Sequence, residues 1–177
     1  GGEDPDVRFN MGIAYKAKGE PDKAVAEYRK AIELAPEYSE AHNNLGNLLK
    51  DQKKFDEAIY HFDASIKIFP ENPSTHNNLG TVHAMKGEIS EAVNHFAKAI
   101  RIQPTYFDAR QNLGFAYMQQ GELVAAEREF SQAVEMAMGG MAFEQKRLEA
   151  AKARLASGLN PQDRKATEIE ISSAAKA

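Results

Sequence analysis

Two sets of side chains in this chain have types and spacings that could do chemistry. The first is five histidines, His42, His61, His76, His83 and His95. His76 and His83 are seven residues apart and could share a helix face, His42 sits 34 residues before His76, and His61 and His95 keep the same interval. A zinc site would need further ligands, and no carboxylate stands at a spacing that completes a tight triad. Each histidine also occupies a recurring slot in which tyrosine or tryptophan would serve. Packing or surface histidines are therefore expected, and no metal. The second set is Asn10, Asn44, Asn78 and Asn112, in the stretches FNMG, HNNLG, HNNLG and QNLG. Asparagine is a mediocre helix former. A side-chain amide carries both a donor and an acceptor, so it can pair with a peptide unit without reading that unit's side chain.

The elements that would hold these residues follow from a period of 34. Gly12, Gly46, Gly80 and Gly114 keep it, as do Ala24, Ala58, Ala92 and Ala126, the aromatics Tyr28, Phe62, Phe96 and Phe130, the series Met11, Leu45, Leu79 and Leu113, and Pro36, Pro70 and Pro104. Self-similarity at such a period points to a repeat array. Each unit reads as two helices. Ala41, Leu45, Leu48 and Leu49 lie on one helical face, and Ala58, Phe62 and Ile66 on another. Asp56 is expected to cap the second of these helices, and Asn72-Pro73 to open the next. Pro70 and Pro104 stop second helices, because proline cannot continue one. The small residues are expected to let the paired backbones approach, with the aromatics filling the seam and Met11 and Phe130 on its buried frame. Stacked in register, such pairs make a solenoid.

These series resemble the tetratricopeptide repeat: a Leu-Gly pair in the first helix, Ala and an aromatic in the second, and a closing Pro. The resemblance implies an all-α, right-handed superhelical solenoid of antiparallel helix pairs. It covers four repeats over 5–138, divided as 5–38, 39–72, 73–106 and 107–138. Departures are visible. The large aromatic usual early in the first helix is Arg8, His42, His76 or Arg110, and the closing proline of the fourth unit is Met138. The glycine usual between the helices is present as Gly19, Gly87 and Gly121, but it is Lys53 in the second unit, where a left-handed backbone would cost about 1 kcal/mol. Beyond the repeats, Met141, Leu148, Ala151 and Leu155 suggest a capping helix over 141–157, and 159–177 reads as a mobile tail whose Ile169 and Ile171 could reach a groove. Residues 1–4 read as linker, and the opening Gly-Gly suggests a piece of something longer or a processed chain.

In tetratricopeptide proteins the first helices line a concave groove, so the resemblance puts the asparagines there. An asparagine ladder of this kind marks the repeats of O-linked N-acetylglucosamine transferases, and these repeats are similar to those and to bacterial tetratricopeptide proteins. The implied function is a non-enzymatic scaffold that binds an extended peptide or protein segment. Its candidate site is Asn10, Asn44, Asn47, Asn78, Thr81, Met85, Asn112, Phe115 and Met118, with Ile13, Asp6, Glu40 and Asp108 beside it. A plainer role for the asparagines is to hydrogen-bond the backbone of the adjacent repeat. Alternatives of other classes are self-assembly, since the first helix exposes Val7, Phe9 and Ile13, and service as the repeat arm of a larger enzyme such as a glycosyltransferase. A clamp for chaperone tails is excluded, because its basic positions hold Phe9, Asp6, Ser74 and Asn112.

The bulk composition agrees. The net charge is −4 with no basic run, so nucleic acid is not an expected partner. There is no cysteine, which removes disulfides and thiol chemistry but suits reducing and oxidising compartments alike. A soluble chain is expected, in the cytoplasm rather than the periplasm, with no membrane insertion. No phosphate loop, dinucleotide fingerprint or nucleophile motif is present, so neither a cofactor nor catalysis is expected.

Overall fold

The computed structural model describes residues 4–139. Eight α-helices follow one another: α1 (Pro5–Ala17), α2 (Pro21–Leu34), α3 (Ser39–Asp51), α4 (Phe55–Ile68), α5 (Pro73–Met85), α6 (Ile89–Ile102), α7 (Phe107–Gln120) and α8 (Leu123–Met138). They form a tetratricopeptide-type array in which each odd helix pairs with the even helix that follows, and each even helix then packs on the next odd one. α5 also touches α3 and α7 directly, so the first helices of the pairs converge on the inner side. The expected capping helix (141–157) and tail (159–177) lie outside the described residues.

The seam of each pair is a ring set on a glycine. A methyl group placed on Gly46 would lie 2.8 Å from the Phe62 ring, one on Gly80 2.8 Å from Phe96, and one on Gly114 2.7 Å from Phe130. The atoms nearest to that methyl are those of an aromatic ring, so the glycines seat a ring; at Gly80 a partner backbone atom, the Ala92 carbonyl, is also close, at 3.2 Å. Ala41, Leu45, Leu48, Leu49, Ala58 and Phe62 are all buried, as their periodicity requires. Met11 and Phe130 depart from the expected frame and are only half-buried, because α1 and α8 each have one face that no other described helix covers.

The helix starts differ in kind. Asn72 caps α5, accepting from Thr75 N–H at 3.2 Å, with Pro73 as first helical residue. Asp56 does not cap α4. That helix begins at Phe55 behind Lys54, whose N–H donates to the Leu49 carbonyl at 2.9 Å, and Asp56 instead accepts from Lys86, the residue that follows α5. The reason is the tight turn before it: Lys53 takes φ 59, the left-handed conformation that Gly19, Gly87 and Gly121 adopt elsewhere. The chain therefore re-enters helix two residues too early for Asp56 to act as a cap.

Candidate functional site

The asparagine stripe runs along the first helices and is partly spent on the array itself. Asn112 donates from Nδ2 to Asn77 Oδ1 at 2.9 Å, and Asn78 donates to Asn43 Oδ1 at 3.3 Å. Each bond joins one first helix to the first helix of the preceding unit. The partner is a side-chain amide, not the backbone. Asn44 has Phe9 where its successors have Asn43 and Asn77, so it has no such partner. It turns to the Tyr28 hydroxyl, a buried group that makes no well-formed hydrogen bond and whose acidity burial weakens. Asn10, on the first helix, is exposed.

The remaining members of the stripe fall into two kinds. Asn47 accepts from Lys50 at 3.4 Å, and the Thr81 hydroxyl donates back to the Asn77 carbonyl at 2.9 Å, so both are half-buried and locally engaged. Met85, Phe115 and Met118 are 51%, 55% and 50% exposed. Phe115 rests edge-on against Phe130, with ring centres 5.1 Å apart. The stripe is thus polar along α3 and gains exposed apolar side chains on α5 and α7. Ile13 on α1 is exposed as well. Of the acids, Asp6 accepts from the Tyr38 hydroxyl at 2.8 Å; burial first, and this bond after it, push the Tyr38 phenol up to about 12.

The histidines form an arrangement that the sequence reading did not anticipate. His42 and His61 meet through their Nδ1 atoms at 3.0 Å, and His42 Nε2 reaches the Pro36 carbonyl at 3.0 Å. His76 and His95 repeat this at 3.3 Å, with Nε2 3.1 Å from the Pro70 carbonyl. In the outer units the same positions hold Arg8 with Glu27, at 2.9 Å, and Arg110 with Glu129, at 3.1 Å. Arg110 also donates to the Pro104 carbonyl and to Gln132. One slot therefore ties a first helix, a second helix and, from the second unit on, the preceding linker. It is ionic at the ends and imidazole–imidazole in the middle. Burial holds His61 and His95 down to about 4, reinforced by the facing histidine, and burial likewise lowers His42 and His76. Among the described residues no group of three or more histidines and acids is placed to hold a metal.

Comparison with known proteins fits this geometry. Two family models match, one described as tetratricopeptide repeat over residues 9–73 and one as TPR repeat over 85–121, together more than half of the chain. The chain is a tetratricopeptide repeat protein. A search of curated protein sequences finds no significant match. Among solved structures, this tetratricopeptide protein is similar to a crystal structure of MamA, at 25% identity and a TM-score of 0.73 over 76% of this chain and 78% of that one. A second structure of the MamA protein matches at 25% identity and 0.71, over 89% of this chain and 80% of that one. MamA from Desulfovibrio magneticus RS-1, at 22% identity and 0.73 over 78% of each chain, shows the shared fold. Among the described residues no helix is long and apolar enough to cross a membrane.

Proposed function

We propose that this tetratricopeptide protein is a non-enzymatic interaction scaffold that takes an extended peptide or protein segment along its inner face. The supporting observation is the set of three large apolar side chains, Met85, Phe115 and Met118, each at least half exposed on the first helices that carry the amides. Buried apolar surface would supply most of the affinity at roughly 25 cal/mol per Å². The amides would supply register. Asn112 and Asn78 use one N–H each in the inter-unit bonds, and an amide has two donors and an acceptor oxygen, so each retains capacity for a peptide group. Neighbouring first helices about 8–10 Å apart would grip an extended segment roughly every third residue.

The test is selection of binders from a displayed library of random peptides against the whole chain, followed by titration of the selected peptides. Replacing Phe115 and Met118 together by alanine should weaken them at least about tenfold, the equivalent of about 1.4 kcal/mol, without loss of helix content. Peptides that bind the double variant as tightly as the parent would overturn the reading.

A second reading is self-association through the array ends. It is favoured by Val7 at 55% exposure on α1 and by Leu123 and Val134, at 66% and 46%, on α8. The positions equivalent to Leu123 and Val134 in α4 and α6, Phe55 and Ile66, Ile89 and Ile100, are half-buried and packed on the core. Light scattering of the whole chain separates the two readings: a monomer at high micromolar concentration removes the second and leaves the first intact.

A further inference from the structure

We propose that the two inner helix pairs form an acid-operated hinge: on mild acidification His42–His61 and His76–His95 part while Arg8–Glu27 and Arg110–Glu129 hold, so the array loosens at its middle and stays closed at its ends. The geometry leaves room for only one proton between each pair of facing Nδ1 atoms. With His42 Nε2–H donating to Pro36, a neutral His42 must accept at Nδ1, and His61 must donate there. The same tautomers follow for His76 and His95. A first added proton can enter at the free Nε2 of His61 or His95 and leaves this bond in place; a second, at Nδ1 of His42 or His76, replaces the acceptor lone pair by N–H and sets donor against donor at 3.0–3.3 Å, with like charge on both rings. The doubly protonated imidazoles must separate, and the bond to the linker carbonyl is put at risk with them.

The surroundings do little to offset that charge. Around the first pair stand Arg29 from α2 and Glu57 from α4, which are bonded to each other at 2.9 Å, and Tyr60 lies edge-on to His61. Glu37 and Lys67 share with His42 a cavity of about 500 Å³ that gives solvent a route to the ring. Around the second pair stand Lys98 and Arg101 from α6, Glu71 from the preceding linker, and His83 of α5, stacked on His95 with ring centres 5.5 Å apart. His83 is held by Glu88 at 2.6 Å, and Asp63 of α4 also feels its charge. Glu57 and Glu71 favour the protonated imidazoles, but Arg29, Lys98 and Arg101 oppose them, and burial opposes them most. The histidines accordingly resist protonation in the folded array and take protons readily once a pair opens, which couples opening to acid.

The experiment uses the whole chain. NMR titration of labelled imidazoles should place His61 and His95 well below the ordinary histidine range and show the Nδ1–H tautomer at both. Hydrogen-exchange protection in α3–α6 should fall about tenfold or more from pH 7.5 to pH 5, with less change in α1, α2, α7 and α8. A variant that copies the end slots into the middle, His42→Arg with His61→Glu and His76→Arg with His95→Glu, should lose that acid response. The proposal is overturned if the histidines titrate near their ordinary value, if protection falls evenly along the array, or if the copied variant keeps the parent's pH profile. Should the variant not fold, the titration and exchange on the parent chain still decide.

Discussion

The outer and inner pairs of this array perform the same mechanical task with opposite electrostatics. At each end an arginine of the first helix reaches a carboxylate of the second: Arg8 meets Glu27, and Arg110 meets Glu129. In the middle, two neutral imidazoles bridge the same gap. Both solutions leave no large polar group stranded. They differ in what they demand. The ionic version needs well-placed hydrogen bonds to offset desolvation, and Arg110 obtains them from Pro104, Glu129 and Gln132. The imidazole version costs less to bury but depends on one proton being absent.

Removing one partner is the strongest way to break the comparison. Arg110→Ala leaves the Glu129 carboxylate buried with only Arg128 beside it and frees the Pro104 carbonyl. A loss of about 2–3 kcal/mol is expected, below the full cost of orphaning a buried charge because Arg128 remains. His76→Ala deletes a ring that is 1% exposed but leaves a neutral His95, so it should cost about 1 kcal/mol less. Urea unfolding of both variants at pH 7.5 checks the order. Equal losses would mean that the slot is worth only its packing.

Acid should separate the two kinds of slot without any mutation. His61 and His95 have folded values near 4, depressed from the ordinary 6.5, so the unfolded chain binds protons first as pH falls. Their contribution is complete above about pH 6.5 and lost progressively down to about 4. Glu27 is also depressed, by the Lys30 hydrogen bond first and Arg8 as well, against an ordinary value of 4.5. Its contribution is complete above that value and is lost only on going lower. The urea midpoint should therefore fall in two stages, one between pH 6.5 and 4 and a second below 4.5. A midpoint flat from pH 7.5 to 5 would show that the inner pairs carry no linkage.

Much of this was written in the period of 34, because ring-on-glycine packing needs the same residue types at the same places in every unit. The fold and the solvent-facing Met85, Phe115 and Met118 could be read that way. The histidine pairs could not, because a search for metal ligands looks along one helix, whereas these rings meet across two helices at a separation of 19. A signal was nonetheless there. Arg8 and Glu27, and Arg110 and Glu129, stand at that same separation. Opposite charges at the ends of the array thus marked the positions that face each other in its middle. The asparagines were legible as a ladder, and bonding to the adjacent unit as a role for them, but with the backbone as partner; the side-chain partners Asn43 and Asn77 were not, since they are shifted by one residue from the repeat frame. The misplaced cap at Asp56 has a local cause, the left-handed Lys53.

That residue gives the smallest effect and a control for the others. Lys53→Gly changes the second unit without touching its histidines. The turn it makes is the one glycine makes in the other units: Lys54 N–H bonds to the Leu49 carbonyl at 2.9 Å, just as Glu20 bonds to Tyr15, Glu88 to His83 and Glu122 to Tyr117 at the same distance. At φ 59 a Cβ crowds the backbone, at a cost of about 1–2 kcal/mol that glycine avoids. Glycine in turn loses about 0.5–1 kcal/mol more backbone entropy on folding. The side chain of Lys53 is exposed, so its removal opens no cavity. A net gain of about 0.5–1 kcal/mol follows, or a rise of a few degrees in Tm. Because the turn lies away from the imidazoles, the gain should be equal at pH 7.5 and pH 5. A gain that changes with pH would mean that the turn and the His42–His61 pair open together, and the hinge would then extend through the whole second unit.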